Sequence, residues 1–276
     1  MSEAKIISIC NHKGGVGKTV TTSCLGTALA SLGKKVLMID FDPQGNLTKG
    51  LGYRDRALYS YSIKDVIFDE LNETAKPSRD YVVPITEGVD LIPANINLAG
   101  LDIQLSTMMS RETVLKRSLA QFREFYDYIL IDSNPALNLF TINTLTASDG
   151  LIIPVQAEPY ATDGLEDLMH TIHSAKKQLN PSLSIEGILI TMTDVRTKLS
   201  KHISNEVREV FDGKIRVFDT EIPRCVKTAE APLHNKSPME YAPNSESARA
   251  YKLLAKEIIT DGNKQITRSA DARLIK

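Results

Sequence analysis

The segment Asn11-His12-Lys13-Gly14-Gly15-Val16-Gly17-Lys18-Thr19 constrains this chain more than any other. It follows an apolar, strand-like run, IISIC (6–10), and opens a helix-patterned stretch (18–32). Glycines at these positions let successive backbone N–H groups turn toward one point without Cβ clashes. The N-terminus of the following helix adds unpaired donors and the positive end of its dipole. Such a turn binds phosphate. Lys13, Gly14, Gly15, Val16, Gly17, Lys18, Thr19 and Val20 then form the cradle. The Lys18 ammonium reaches the β- and γ-phosphates, and the Thr19 hydroxyl ligates Mg2+. A glycine-rich turn without a ligand has no use for two lysines and a threonine in this register.

The rest of the chain repeats the alternation. KVLMID (35–40), VDLIPA (89–94), YILID (128–132), GLIIPV (150–155) and GILITM (187–192) are near-continuous apolar runs. These suit parallel strands covered on both faces, and IRVFDTEI (215–222) is a weaker candidate. Helical patterns fall between them, near 111–126, 136–147, 163–179, 199–211 and 245–260. Gly33 stands where a glycine ends the first helix, and Ser245 with Glu246 suits the start of the last. The βαβα order predicts an α/β, doubly wound, mostly parallel sheet with helices on both faces. Residues 1–260 are expected to form one domain, with 53–85 an irregular excursion on the sheet's rim. Residues 261–276 are expected to be a polar, flexible tail.

Carboxylates complete the pattern. VLMIDFDPQGN (36–46) puts Asp40 and Asp42 at the end of the second strand, where open α/β sheets bind ligands. One residue apart, they share a strand face. Two carboxylates beside a polyphosphate require a divalent cation, so Mg2+ is implied. Taken alone, Asp-Pro followed by Gln-Gly is also good turn chemistry. YDYILIDSNPAL (126–137) ends a third strand in Asp132.

Several functions are excluded. Cys10, Cys24 and Cys225 are scattered, with no CxxC pair, which argues against a disulfide framework or an iron–sulfur or zinc site. No run of about 18 apolar residues occurs, and the opening MSEAKIISIC lacks a signal-peptide layout. A cytoplasmic location is expected. The net charge of −1 is unlike that of a general polyanion binder. Residues 193–276 nevertheless hold 16 Lys/Arg against 12 Asp/Glu, which fits either solvated surface or a local DNA-contacting face. Glu166, His170 and His173 share a helix face at a spacing that can bind metal, but they read as an ordinary polar face.

The loop KGGVGKT, with His12 where the usual pattern has its first glycine, resembles the deviant Walker A motif of the ParA/MinD superfamily of P-loop NTPases. The resemblance implies that Lys13 crosses a dimer interface to the partner's phosphates. DFDPQGN resembles the family's Walker A′ motif, so Asp42 is expected to position or activate the attacking water and Asp40 to support the Mg2+ shell. Asp132 matches the Walker B aspartate, which holds Mg2+ through water. Two departures stand out: Val20 replaces a hydroxyl residue, and Asp132-Ser133-Asn134-Pro135 replaces D-x-P-P.

The C-terminal third is similar to ParA/Soj partition ATPases, so the resemblance runs from about residue 5 to 259. It implies that Met192, Pro223, Arg224 and Val226 flank adenine, and that Arg196 and Arg224 bind DNA without sequence preference. Lys198, Lys201, Lys227 and Lys252 could extend that face, but each reads more readily as solvated surface. The implied function is a slow Mg2+-dependent ATPase that forms an ATP-sandwich homodimer and binds double-stranded DNA in that state. A ParB-like centromere-binding partner would stimulate hydrolysis, and the ATP state would associate with the nucleoid. Without an N-terminal helix-turn-helix segment, operator binding is not expected. The alternative is a ParA-like ATPase that positions a protein cargo. A MinD-like membrane-associated regulator is a third reading, disfavoured by the thin apolar stripe of NKQITRSADARLIK.

Overall fold

Eight strands form one sheet in the order β3-β4-β2-β5-β1-β6-β7-β8. The structure, a computed structural model, describes residues 3–136, 138–159, 161, 165–194 and 196–274; the side chains of Arg56, Glu166 and residues 262–274 lie outside that description. The strands are β1 (Lys5–Ile9), β2 (Val36–Phe41), β3 (Val83–Thr86), β4 (Val89–Ile92), β5 (Tyr128–Ser133), β6 (Gly150–Gln156), β7 (Ser184–Thr193) and β8 (Ile222–Pro223). All pairings are parallel except β3 with β4. The α-helices are α1 (Lys18–Ala30), α2 (Asn46–Gly50), α3 (Ile63–Leu71), α4 (Ala99–Ser106), α5 (Val114–Ala120) and α6 (Leu139–Ala147). They continue with α7 (Leu165–Gln178), α8 (Lys198–Phe211), α9 (Val226–Glu230), α10 (Pro238–Tyr241) and α11 (Glu246–Leu274).

Strand alternation sorts the core onto two faces. Ile7, Ile9, Met38 and Leu130 point to one side, where they meet Cys24, Leu25 and Leu29 of α1 and Tyr251 and Leu254 of α11. Ile6, Leu37, Ile39, Ile129 and Ile131 point to the other, against Ile63, Val66, Leu101, Leu115 and Leu119 of α3, α4 and α5. Each fully buried Leu or Ile contributes about 1.5–3 kcal/mol, so the apolar strands seen in the sequence hold both layers. Cys10 and Cys24 are buried, as small core residues. Helix α1 closes through Gly33, whose φ of 80° places it in the left-handed region, with its N–H donating to Ala30 O. Ser245 Oγ accepts from Ala248 N–H and starts α11.

Four expectations are corrected. The 215–222 strand reduces to Ile222–Pro223 plus an isolated bridge between Ile188 and Val217. Glu257 of α11 accepts from the backbone N–H of Asp219 and Thr220, so the chain leaves the ladder there. The stretch 53–85 contains α3 and the edge strand β3. Pro84 hides β3 from pattern reading, and an edge is where proline is tolerated in a sheet. The 111–126 helix shortens to α5, preceded by a 3-10 turn at Arg111–Thr113. Helix α11 runs on to Leu274, past the end read at residue 260. The start read for α7, residues 163 and 164, lies outside the described residues, as do the 261–276 side chains beyond Asp261 and the last two residues of that tail.

Candidate nucleotide site

The chain leaves β1 to build β2 on one side and later β6 to β8 on the other, so the crevice above β1 is where a ligand is expected. The glycine-rich loop lies there. Gly15 (φ 78°) and Gly17 (φ 93°) adopt left-handed backbone, which costs an L-residue about 1–2 kcal/mol. A Cβ at Gly14 or Gly15 would meet nothing within 4 Å, so the space before the loop is open. Gly17 begins α1 without any side-chain cap, which leaves the first-turn N–H groups to a ligand.

Two residues whose bracing role the sequence did not show hold the loop. Buried Asn11 accepts from Lys13 N–H at 3.0 Å and donates Nδ2 to Pro154 O of β6 at 2.8 Å. The Thr191 hydroxyl, on β7, donates to Val16 O at 2.9 Å. Their signal was absent because each works through a contact more than 140 residues away in sequence. Lys18 is only 8% exposed and donates Nζ to Lys13 O at 3.1 Å. Burial pulls its pKa below the ordinary lysine value against the attraction of Asp132, Cys10 and Asp42. An ammonium held this way favours a polyanion that would restore its charge balance.

Parallel register sets Asp40 directly opposite Asp132. Asp40 is fully buried and accepts from Thr48 N–H at 2.8 Å and Thr48 Oγ1 at 2.7 Å, with a longer bond from Asp42 N–H at 3.3 Å. Burial raises its pKa to about 6, although the Thr48 bonds oppose the shift. The same Thr48 hydroxyl accepts from Ala94 N–H at 2.9 Å, so Asp40 braces α2 against the end of β4. Nothing in the sequence marked Thr48. Asp132 is 1% exposed; burial first, then Asp40, drives its pKa well above the carboxylate range, against a smaller opposing effect of the neighbouring Thr19 side chain. Its Oδ1 is buried without a hydrogen-bond partner. A buried, orphaned carboxylate oxygen beside a hydroxyl is a donor set for a hard cation or its water.

Among the described residues, no three His, Cys, Asp or Glu side chains form a metal site by themselves. Asp42 is half-buried, and its Oδ1 accepts from Gln44 N–H at 2.9 Å. It lines a cleft of about 760 Å³ with Gly14, Lys18, Thr19 and Asn134. Asn134 folds its Oδ1 onto Ala136 N–H at 2.8 Å, a local turn in place of the first proline.

A second cleft, also about 760 Å³, extends from Gly17 and Val20 to Met192, Pro223, Arg224 and Val226. Met192 lines both clefts, with its backbone at φ 55°. Strain of this kind in a non-glycine residue clusters at ligand sites. Arg196 and Arg224 stand on the wall of the same cleft, both exposed. Lys13 does not point into it. Its Nζ is 2.6 Å from Glu158 Oε1 on the loop after β6, another partner invisible to pattern reading. His170 and His173 are exposed on α7, and the Glu166 side chain lies outside the described residues.

A family model described as an AAA domain matches residues 4–185. The sporulation initiation inhibitor protein Soj of Bacillus subtilis is 47% identical over 259 residues, 94% of this chain and 99% of Soj. The chromosome partitioning protein ParA of Caulobacter vibrioides is 41% identical over 260 residues, 93% of this chain and 94% of ParA. Among solved structures, cobyrinic acid a,c-diamide synthase from Mycobacterium smegmatis, with bound ATP analog and magnesium, superposes with a TM-score of 0.79. It is 33% identical and covers 93% of this chain and 94% of its own. Identity at this level over nearly the full length, on a P-loop sheet with the deviant lysine in place, makes this chain a member of the ParA/Soj family of partition ATPases.

Proposed function

We propose that this ATPase is an ATP-gated, DNA-tethered switch for DNA partition, with residues 1–260 acting as one unit. The observation that carries the reading is the orphaned Asp132 Oδ1 beside Thr19, at the foot of an open, glycine-lined loop. ATP and Mg2+ are its cofactors. Bound there, Mg2+ would neutralise phosphate charge and orient the γ-phosphate. Thr19 and Asp132 would hold it, with Asp40 fixing α2 behind them. Backbone N–H groups from Gly14 to Thr19 bind the phosphates, and Lys18 neutralises them. Asp42, whose carboxylate accepts from the Gln44 N–H, orients the attacking water and accepts its proton. Met192, Pro223, Arg224 and Val226 hold the base.

Lys13 leaves Glu158 and reaches the nucleotide of a second copy, which makes the dimer ATP-dependent. Arg196 and Arg224 of both copies then contact phosphates of double-stranded DNA without reading sequence. Two weak faces joined in one dimer gain affinity through effective concentration. A ParB-like partner stimulates hydrolysis and releases the ATPase, which is nucleoid-bound only in its ATP state. No described helix is long and apolar enough to cross a membrane.

The test is binding to random-sequence duplex DNA with ATP and Mg2+, with ADP, or without nucleotide, at two salt concentrations. Binding is expected only with ATP, weaker at high salt and lost in Arg196→Ala/Arg224→Ala. Absence of DNA binding in every state would overturn the tethering.

A further inference from the structure

Arg196 is exposed over 85% of its side chain, yet one two-pronged edge of its guanidinium is engaged. Nε donates to Asp194 Oδ1 at 2.9 Å, and Nη2 donates to Asp194 Oδ2 at 2.9 Å. The Arg196 backbone N–H also donates to Oδ1, at 3.0 Å. This is the two-pronged geometry that a guanidinium otherwise offers a phosphate.

Asp194 is itself held in place. Its N–H donates to Ser200 Oγ at 3.0 Å, and its carbonyl accepts from both the N–H and the hydroxyl of Thr197, the residue that caps α8. The carboxylate therefore stays at one point while a guanidinium docks on it. Arg196 holds the Asp194 carboxyl down at about 2, and Arg224 contributes more weakly. Arg224 is anchored beside it, its N–H donating to Thr193 O at 2.9 Å. Glu246, the first residue of α11, acts on Arg196 electrostatically and lines the same cleft.

Two cations thus face two anions, and the patch carries no surplus charge. Non-specific DNA affinity counts the phosphates a protein neutralises, so a patch already neutralised internally contributes little. We infer that Asp194 is an internal phosphate mimic: it occupies the fork of Arg196 and competes with DNA for it. The inference rests on the reading of Arg196 as a DNA contact. Asp194 and Arg196 share their cleft with Gly17 and Val20 of the nucleotide loop, so the mask lies within reach of whatever fills that cleft.

The experiment is a fluorescence titration of a random-sequence duplex into wild type, Asp194→Asn, Asp194→Glu, Arg196→Ala and the double variant Asp194→Asn/Arg196→Ala. Each is run with ATP and Mg2+ and without nucleotide, across a salt series, with ATP affinity measured in parallel. Asp194→Asn is expected to bind DNA about two- to fivefold more tightly per protomer, the worth of one exposed ion pair. Its log–log salt slope should steepen by about 0.9 per released arginine. Asp194→Glu, which keeps the carboxylate, should stay near wild type, and the gain should vanish when Arg196 is also removed.

If wild type binds DNA and Asp194→Asn binds no better, the mask is refuted while the DNA reading stands. A gain that survives Arg196→Ala would mean only that a negative charge was lost, and would also refute the mimic. Lower ATP affinity without a DNA gain would assign Asp194 to the nucleotide instead. DNA binding by no variant in any state would remove the DNA reading itself, and the mask with it.

Discussion

Asp40 and Lys13 show how single side chains carry this site. The Asp40 carboxylate is fully buried, and two of its three hydrogen bonds come from Thr48. Thr48→Val removes the hydroxyl from both Asp40 and Ala94 N–H while keeping the volume. A buried charge that loses a partner costs about 2–3 kcal/mol, so a clear drop in thermal midpoint is expected by calorimetry. An unchanged midpoint would show that Asp40 is not braced by Thr48. Lys13 is different, because its pair with Glu158 is about 40% exposed at both ends. Such a pair is worth about 0.2–1 kcal/mol, which a polyphosphate readily outbids. Lys13→Ala should therefore bind ATP nearly as well as wild type but stay monomeric by light scattering. An ATP-dependent dimer of that variant would sink the sandwich model.

Elements place these side chains through contacts that local sequence does not announce. Helix α3 is tied to the entry of β3 by Asp69, whose carboxylate accepts from Thr74, Lys76 and Tyr81. Burial alone would raise the Asp69 pKa, but those three bonds outweigh it and the net shift is downward. A depressed folded-state pKa contributes stability above the unfolded value of about 4. That stability is lost as pH falls through the lower, folded value. Asp69→Asn is expected to cost about 1–3 kcal/mol at pH 7, and the gap to wild type should narrow in chemical denaturation as pH falls below about 4. A gap independent of pH would mean that Asp69 acts through shape rather than charge. Strand β3 and helix α3 escaped pattern reading for related reasons: Pro84 interrupts the strand, and polar residues surround the short helix.

At the scale of the molecule, much of the fold was legible because it repeats one rule. Six apolar runs became six adjoining strands, β1, β2 and β4 to β7, since a strand covered on both faces has no polar side to show. The loop Gly14 to Thr19 was legible because left-handed backbone and an uncapped helix start demand particular residues locally. Asp40 and Asp132 were legible as strand-end carboxylates, and parallel register places them opposite one another. The sequence by itself therefore determined the six inner strands of the sheet, the phosphate loop and the chemical identity of the cation-binding groups, because local backbone sterics and strand periodicity act over a few residues. Only the tertiary structure decided which partner each charge takes: Asn11 and Thr191 on the loop, Thr48 on Asp40, Glu158 on Lys13. Those pairings depend on distances set by packing across the sheet, and no spacing along the chain encodes them.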